Sequence, residues 1–328
     1  MTLLKVEQLH THIHTNKGRV SPVRGVSFSI EKGEVTGVVG ESGSGKSVMS
    51  QSLIRLLDRE GNIEYNGQIH FDNKDVLALS EAELRKLRGN DISIIFQDAL
   101  SSLNPLYTVG NQIVEAIRTH QSLSKKTARK QAIEFLRLTG IPSPETRFNS
   151  YPHELSGGMQ QRVMIAMALV SKPKLLIADE PTTALDVTIQ AQILDLIIQL
   201  NTEFEMSILF ITHDLGVVRE ICSSVKVMYL GQIVEEGPTE TIFNQPLHPY
   251  TKLLLASMPK LNSDRTEPLP AITGTVPSLS NIPKGCSFST RCPYATDLCR
   301  EQEPPMFSND GQRVQCWLYD EEKGGWLD

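Results

Sequence analysis

One stretch of this chain reads Gly40-Glu41-Ser42-Gly43-Ser44-Gly45-Lys46-Ser47, and the fold can be worked out from it. It fits the phosphate-binding pattern G-x-x-x-x-G-K-[ST], in which glycines let successive backbone N–H groups turn inward around an anion. The pattern predicts that Lys46 reaches the β- and γ-phosphates of a nucleotide and that the Ser47 hydroxyl binds Mg²⁺. The apolar run before it predicts a buried strand over Val35–Val39, and a helix is predicted over Ser47–Leu57, with its positive end facing the phosphates.

Length, composition and charge restrict the kinds of protein that this chain can be. The chain has 328 residues, enough for one large α/β domain and a smaller appendage, and 40% of them are hydrophobic. A net charge of −6 argues against a broad nucleic-acid surface. No run of 18 apolar residues is present, and the first residues lack the features of an export signal. The sequence therefore predicts a protein that stays in the cytoplasm and binds no nucleic acid.

Hydrophobic periodicity places other elements around the loop. Strands are predicted over Leu3–Ile13, Arg19–Ile30, Gly67–Phe71, Asp91–Phe96, Lys174–Ala178 and Ile208–Thr212, and a hairpin over Val225–Leu230 and Ile233–Glu236. Helices are predicted over Leu79–Leu87, Val109–His120, Ser124–Thr139, Thr188–Phe204 and Leu215–Cys222. Composition shifts after Gly237, and residues 259–283 read as an extended, proline-rich linker.

Two carboxylates end the apolar strand Lys174–Ala178. Asp179 suits a Mg²⁺ contact, made directly or through water, because Mg²⁺ prefers hard oxygen ligands beside phosphates. Glu180 follows it and can polarise an attacking water molecule. Together with the phosphate loop, this pair predicts nucleotide hydrolysis.

A second anion-binding segment reads Leu155-Ser156-Gly157-Gly158-Met159-Gln160-Gln161-Arg162. Ser156 is predicted to cap a helix, and Gly157 and Gly158 leave its first backbone N–H groups accessible. Here the sequence resembles the ATP-binding cassette (ABC) ATPases, whose signature motif is L-S-G-G-Q, although Met159 stands where that motif has Gln. In that family the segment reaches the nucleotide of the opposite subunit, so the resemblance implies two sites sandwiched between two cassettes.

The same resemblance assigns roles to further residues. It implies that Gln97 touches Mg²⁺ and the attacking water and senses the transmembrane partner, and that His213 contacts the γ-phosphate. Ala184-Leu185-Asp186 matches the loop that carries signals between the two sites. Ile13 occupies the position at which the family usually stacks an aromatic ring on adenine. Either a neighbouring histidine, His12 or His14, stacks on the base, or apolar contact alone holds it.

Four cysteines lie in the last 43 residues, with the spacing C-x5-C-x6-C-x16-C: Cys286, Cys292, Cys299 and Cys316. That spacing fits a structural zinc site poorly, since paired zinc ligands are usually two to four residues apart. An iron–sulfur cluster, zinc and unligated thiols remain alternatives. Cys222 stands apart on an apolar helix and is predicted to be a buried core thiol.

The resemblance sharpens in the C-terminal part. Asn104-Pro105, His248-Pro249-Tyr250-Thr251, Gly285-Cys286 and Arg291-Cys292-Pro293 are similar to segments of the ATP-binding subunits of oligopeptide/dipeptide (peptide/nickel) importers. That subfamily resemblance implies a 4Fe–4S cluster on the four cysteines, predicted here as a structural element. It also implies that the partners are two transmembrane permeases, a second and homologous ATPase subunit, and an extracytoplasmic peptide-binding protein.

The sequence thus predicts an α/β fold of the P-loop NTPase type, an ABC cassette with a mixed-sheet core and a small, irregular, cysteine-containing C-terminal lobe. The predicted domains are 1–258, with a helical subdomain at about 98–165, and 259–328. The expected function is transport-coupled ATP hydrolysis, with ATP and Mg²⁺, at the cytoplasmic face of the membrane, powering import of oligopeptides or dipeptides. The alternatives are import of nickel or another solute, a soluble ABC ATPase of DNA repair or translation, and an iron–sulfur electron carrier with a nucleotide-binding fold.

Overall fold

The structure, a computed structural model, describes residues 1–16, 18–97, 102–182, 186–258 and 272–320, with the side chains at 59 and 60 excepted. The strands are β1 Thr2–Thr15, β2 Gly18–Glu31, β3 Val35–Val39, β4 Ile63–Phe71, β5 Lys74–Asp75, β6 Ile92–Ile95, β7 Leu175–Asp179, β8 Ser207–Ile211, β9 Ser224–Tyr229, β10 Gln232–Pro238, β11 Phe307–Asn309 and β12 Gln312–Val314. The helices are α1 Lys46–Ser52, α2 Glu81–Leu87, α3 Val109–His120, α4 Lys125–Leu138, α5 Pro144–Arg147, α6 Gly157–Leu169, α7 Val187–Phe204, α8 Leu215–Ile221, α9 Thr239–Asn244, α10 Pro249–Ala256 and α11 Asp297–Glu301.

The chain divides into two units. The first unit comprises Met1–Leu3, Ile30–Glu34 and Ala78–Ile211. The second comprises Leu4–Ser29, Val35–Leu77 and the chain from Thr212 onward. The predicted boundary at residue 258 adjoins 259–271, which lie outside the described residues, and the predicted domains stay predictions.

Parallel strands form the core of the first unit. β7 pairs with β6 on one side and with β8 on the other, both in parallel. Every residue of β7 and β8 is buried, as expected for parallel strands with both faces covered, which read as continuous apolar runs. Parallel strands bring their carboxyl ends to one edge, so the residues following β6 and β7 lie at the same edge of the sheet.

Helices α2 to α7 complete the first unit, and side-chain caps fix where several of them begin. Ser80 and Glu83 form a reciprocal capping box at α2. Ser124 caps α4, and Thr108 caps α3. α3, α4 and α6 pack against one another through their apolar faces. The predicted helical subdomain at about 98–165 includes these helices and stays a prediction, since residues 98–101 are not described.

The second unit contains two sets of strands. One is a four-stranded sheet in the order β2-β1-β4-β5, in which β1 pairs antiparallel with β4. The other is mixed: β3 runs parallel to β9, whereas β9–β10, β10–β12 and β12–β11 are antiparallel. The predicted hairpin β9–β10 is present, with Tyr229 opposite Gln232.

Two local differences from the sequence prediction have physical reasons. The helix after the phosphate loop ends at Ser52, short of the predicted Leu57, and Arg55 adopts a left-handed backbone conformation (φ 51°). The Ser50 and Ser52 hydroxyls bond back to carbonyls of the same helix, which weakens a helix interior. β11 and β12 lie in a lobe predicted to be irregular, and with three residues each they are too short for a periodic pattern to show.

Candidate functional site

The phosphate loop connects buried strand β3 to α1, as predicted, and its glycines are required sterically. Gly45 has φ 99°, and a Cβ placed on it would lie 2.2 Å from the Pro22 carbonyl oxygen. A Cβ on Gly40 would lie 2.1 Å from the Met228 carbonyl oxygen. Gly43 also has positive φ, but the space beside it is open. The loop therefore adopts a conformation that only glycine allows at two of its positions.

Lys46 folds back over the loop that precedes it. Its ammonium donates hydrogen bonds to the carbonyl oxygens of Gly40 (2.8 Å) and Glu41 (3.1 Å), and the residue is 6% exposed. The Gly231 amide anchors the loop from outside by donating to the Ser44 carbonyl at 2.8 Å. The Lys46 ammonium thus lies against the backbone of the phosphate loop, where the motif predicts a phosphate-binding cation.

The predicted acidic pair stands at the end of β7 in the first unit. Asp179 is the last residue of the strand and is 3% exposed. Glu180 has a left-handed backbone (φ 48°), a conformation that costs free energy in a residue other than glycine and recurs at functional sites. Its carboxylate oxygen Oε2 accepts a hydrogen bond from Gln97 Nε2 at 2.8 Å. The structure thus brings two predicted catalytic residues, Gln97 and Glu180, together.

Ser156 caps α6, as the signature segment predicts. Its hydroxyl accepts a hydrogen bond from the Met159 amide at 3.4 Å, and Ser156 and Gly157 are exposed. A Cβ on Gly157 would meet no atom within 4 Å, whereas one on Gly158 would lie 3.0 Å from Ile189 Cγ2. The Gln161 side chain donates a hydrogen bond to the Pro181 carbonyl, one residue after Glu180. Helix α6, which begins with the signature segment, is therefore hydrogen-bonded to the residue that follows the acidic pair.

Asp186 and His213 are exposed at the starts of later elements. Asp186 caps α7 by accepting from the Ile189 amide at 3.0 Å; the other members of its predicted loop, Ala184 and Leu185, lie outside the described residues. His213 belongs to the second unit, and the amide of Thr212 before it donates to the Val38 carbonyl of β3 at 3.2 Å.

The predicted adenine position is half-buried in β1. Ile13 pairs with Ile63 of β4, and because side chains alternate along a strand, His12 and His14 face the opposite side. His12 Nδ1 lies 2.7 Å from the Ser21 hydroxyl, and His14 Nε2 lies 3.3 Å from a Glu64 carboxylate oxygen. Both histidines therefore have partners on their own face, and a base contact by Ile13 stays a prediction.

The predicted 4Fe–4S cluster is wrong. Among the described residues no three His, Cys, Asp or Glu side chains are arranged to hold a metal ion. The cavity lined by the four C-terminal cysteines measures about 20 Å³, room for one water molecule rather than a cluster. Burial raises the pKa of Cys286 to about 11 and that of Cys316 to about 12. The same observations count against zinc.

Cys222 matches its prediction as a core thiol. It is 7% exposed, and burial raises its pKa to about 12. Its sulfur would lie 3.0 Å from a Cβ built on Gly37 of β3, so it packs directly beneath the strand that leads into the phosphate loop.

Sequence reasoning missed two residues that contact the phosphate loop. The Glu41 amide donates to the Tyr250 hydroxyl at 2.9 Å, and the Glu41 carboxylate forms an ion pair with Arg291. Both residues lie in segments used above only for their family resemblance, around His248–Thr251 and Arg291–Pro293. The signal that could have found Arg291 is the presence of a carboxylate, Glu41, inside an anion-binding loop, since such a charge calls for a cation beside it.

In the part of the chain that the structure describes, no helix is both long and apolar enough to cross a membrane. Two family models match the sequence: "ABC transporter" over residues 23–183 and "Oligopeptide/dipeptide transporter, C-terminal region" over residues 234–299. The second match includes Tyr250 and Arg291.

Similar proteins of known name extend over nearly the whole chain. The oligopeptide transport ATP-binding protein OppD of Bacillus subtilis is 54% identical over 96% of this chain and 88% of its own. The dipeptide transport ATP-binding protein DppD of Haemophilus influenzae is 48% identical over 99% and 98%, respectively.

Solved structures agree with this and confirm the predicted fold class. The ATP-binding cassette MJ0796, solved as a dimer in a post-hydrolysis state with ADP and phosphate, superposes with a TM-score of 0.65 at 29% identity, covering 72% of this chain and 99% of that one. CbiO1 of Clostridium perfringens, part of an ABC transporter complex, gives 0.63 at 31% identity, covering 74% and 91%. ATP hydrolysis is the activity of this cassette. The chain belongs to the ABC transporter ATP-binding protein family, in the group that contains the oligopeptide and dipeptide transport ATP-binding proteins.

Proposed function

We propose that this chain is the ATP-hydrolysing subunit of an importer for oligopeptides or dipeptides. The observation that supports this most directly is the near full-length similarity to OppD, which extends through the C-terminal region as well as the cassette. The partners would be two transmembrane permeases, an extracytoplasmic peptide-binding protein and a second, homologous ATPase subunit. The chain would then act peripherally at the cytoplasmic face of the membrane.

The described residues support separate roles for individual side chains in hydrolysis. Gly40–Ser47 would bind the triphosphate, with Lys46 moving its ammonium from the loop carbonyls to the phosphates. Glu180, oriented by Gln97, would accept a proton from the attacking water, and His213 would contact the γ-phosphate. Ile13 would contact the base. Ser156, Gly157 and Gly158 would contact the nucleotide of the partner subunit, and Asp186 would link the two sites.

The donor set fits a magnesium ion. The Ser47 hydroxyl, the Gln97 amide oxygen and the buried Asp179 carboxylate are hard oxygen ligands, the type that Mg²⁺ prefers. When bound, Mg²⁺ would neutralise charge on the phosphate oxygens. The proton-accepting carboxylate, Glu180, is a residue of this chain and needs no metal to be oriented, since Gln97 already holds it.

The proposal is tested by peptide uptake in the source organism. Deletion of the gene is expected to abolish uptake of radiolabelled dipeptides and tripeptides, with restoration by the wild-type gene but not by a Glu180→Gln variant. Unchanged peptide uptake in the deletion strain, together with loss of nickel or sugar uptake, would instead support a different cargo. Identification of the neighbouring genes, especially one for a binding protein, would narrow the cargo further.

A further inference from the structure

Glu41 places a negative charge within the phosphate loop. It follows Gly40 directly, and its side chain is 28% exposed, so water screens the charge only in part. A carboxylate in this position opposes the binding of a triphosphate unless a cation neutralises it. The importance of this charge rests on the proposed role of the loop in nucleotide binding.

Arg291 supplies that cation from a distant part of the chain. Its Nη1 donates to Glu41 Oε2 at 2.6 Å and its Nη2 donates to Glu41 Oε1 at 3.1 Å, a bidentate pair. The Arg291 side chain is 4% exposed. The hydrogen bonds to Glu41 raise the pKa of Arg291 above its ordinary value, outweighing the opposite effect of burial. Both carboxylate oxygens of Glu41 thus accept hydrogen bonds from Arg291.

The Arg291 guanidinium is fixed on every side. Besides its two bonds to Glu41, it donates to the Thr273 carbonyl (3.1 Å), the Ile272 carbonyl (3.4 Å) and the Tyr229 hydroxyl (3.4 Å). These five hydrogen bonds match the five N–H groups of a guanidinium. A lysine would keep the charge but could not reproduce this planar set. The geometry therefore requires an arginine rather than any cation.

An aromatic cluster links Arg291 to the backbone of the phosphate loop. The rings of Tyr229, Tyr250 and Phe288 lie with their centroids 4.7 to 5.4 Å apart, and the Phe288 carbonyl accepts the Arg291 amide at 2.9 Å. Tyr250 accepts the Glu41 amide, and the Glu41 carbonyl accepts the Lys46 ammonium. The residue that Arg291 holds by its side chain is therefore also the residue that positions the phosphate-binding lysine.

We infer that Arg291 is a positioning residue for nucleotide binding: it neutralises Glu41 and fixes the loop, so that the C-terminal lobe, residues 272–320, sets the affinity of the phosphate loop for nucleotide. Removal of Arg291 leaves the Glu41 carboxylate without its counter-ion beside the incoming phosphates. The resulting repulsion acts on bound nucleotide before as well as during hydrolysis, so it raises KM more than it lowers kcat.

Equilibrium binding of fluorescent mant-ATP and mant-ADP to the full chain, with Mg²⁺, tests the inference. Arg291→Ala is expected to weaken mant-ATP binding at least tenfold and mant-ADP binding less, because ATP carries more charge. The loss is expected to shrink at high ionic strength. Adding Glu41→Gln to Arg291→Ala removes the repelling charge and is expected to recover most of the lost affinity, with Glu41→Gln alone completing the double-mutant cycle.

Arg313→Ala is the matched control. Arg313 lies in the same lobe and forms an ion pair of the same length, 2.6 Å, with Glu236 of β10 instead of a phosphate-loop residue, although its side chain is 46% exposed. Its loss is expected to leave mant-ATP affinity unchanged. Thermal unfolding of each variant checks that it is folded. If Arg291→Ala does not fold, Arg291→Lys provides the same test, with an intermediate loss of affinity expected.

The outcomes separate the two proposals. A wild-type chain that fails to bind mant-ATP overturns the role of the loop and this inference with it. A wild-type chain that binds, beside a folded Arg291 variant of equal affinity, overturns the inference alone. So does an Arg291→Ala, Glu41→Gln double variant that is folded but recovers nothing, because a purely structural role of Arg291 would not depend on the charge of Glu41.

Discussion

Gln97 Nε2 donates a 2.8 Å hydrogen bond to Glu180 Oε2, although 83 residues separate the two in sequence. The contact arises because β6 and β7 are parallel neighbours, so the residues that follow them are at one sheet edge. The amide donor fixes the orientation of the Glu180 carboxylate at the end of β7. The pair thus has the geometry expected of a general base with an orienting partner.

Replacement of Glu180 by Gln is expected to reduce ATP hydrolysis by about 10²- to 10⁴-fold, the usual contribution of a general base. Binding of ATP should persist, because the amide keeps the size and the hydrogen bond to Gln97. Phosphate release and mant-ATP binding measure the two effects, and size-exclusion chromatography with ATP is expected to show a trapped dimer. Glu145→Gln, an exposed change of the same kind, is the control. Undiminished turnover in Glu180→Gln would exclude this carboxylate as the base.

Gly45→Ala is expected to destabilise the protein and abolish tight ATP binding. The new Cβ would lie 2.2 Å from the Pro22 carbonyl oxygen, at a φ of 99°, so the backbone of the loop has to move. Strain alone costs about 1–2 kcal/mol. Gly43 also has positive φ, but the space around it is open. Gly43→Ala therefore introduces only backbone strain and no steric clash, and a smaller loss of affinity is expected. Equal effects of the two variants in urea unfolding and nucleotide binding would contradict this reading of the loop.

Gly157→Asp tests the proposed role of the signature segment between subunits. Space is available for the side chain, and an acidic residue in the first turn of a helix is favourable, so the unfolding free energy should be unchanged or slightly higher. The added charge would repel the phosphates of the partner's nucleotide and lower ATPase activity about tenfold or more. Gly157→Ser, neutral and small, should retain most activity. Full activity of a dimer carrying Gly157→Asp in both subunits would rule out a phosphate contact there.

His248 is expected to make stability depend on pH. It is 1% exposed, caps α10 by accepting the Tyr250 amide at 3.0 Å, and burial, reinforced by Lys252, lowers its pKa to about 3. Below pH 6.5 the unfolded chain therefore binds a proton that the folded chain does not. The free energy of unfolding should fall by up to about 1.4 kcal/mol per pH unit between pH 6.5 and 3.

Asn at position 248 can still cap α10 but cannot titrate. Urea unfolding at pH 7, 6 and 5 should therefore show a shallower decline for His248→Asn than for the wild type. Parallel declines for the two proteins would show that other groups determine the pH dependence.

Most of the sequence prediction rested on hydrophobic periodicity and on the steric requirements of the phosphate loop. α3 begins and ends at the predicted residues, Val109 and His120, because its apolar spacing is regular and Thr108 caps it. Gly45 and Lys46 followed from the phosphate loop pattern alone. The pairing of Gln97 with Glu180 needed the family resemblance first, since the order of parallel strands cannot be read from one sequence.

The misses arose where contacts depend on packing between distant segments. Arg291 and Glu41 are 250 residues apart, and nothing local to either one specifies the other. Cysteine spacing suggested four ligands, but spacing does not give the size of the cavity that the folded thiols surround. By contrast, strand alternation alone places Ile13 on the opposite face of β1 from His12 and His14, and this could have been predicted from the sequence.

β12 covers the outer edge of β10, pairing Val314 with Glu235 and Arg313 with Glu236. A chain shortened before residue 307 would lose this cover and present the free backbone amides and carbonyls of β10 to solvent. Exposed edges of this kind recruit strands from other molecules and promote aggregation. β11 and β12 therefore cover an edge that would otherwise promote aggregation, and a fragment trimmed to the cassette motifs is expected to aggregate rather than act as a minimal enzyme.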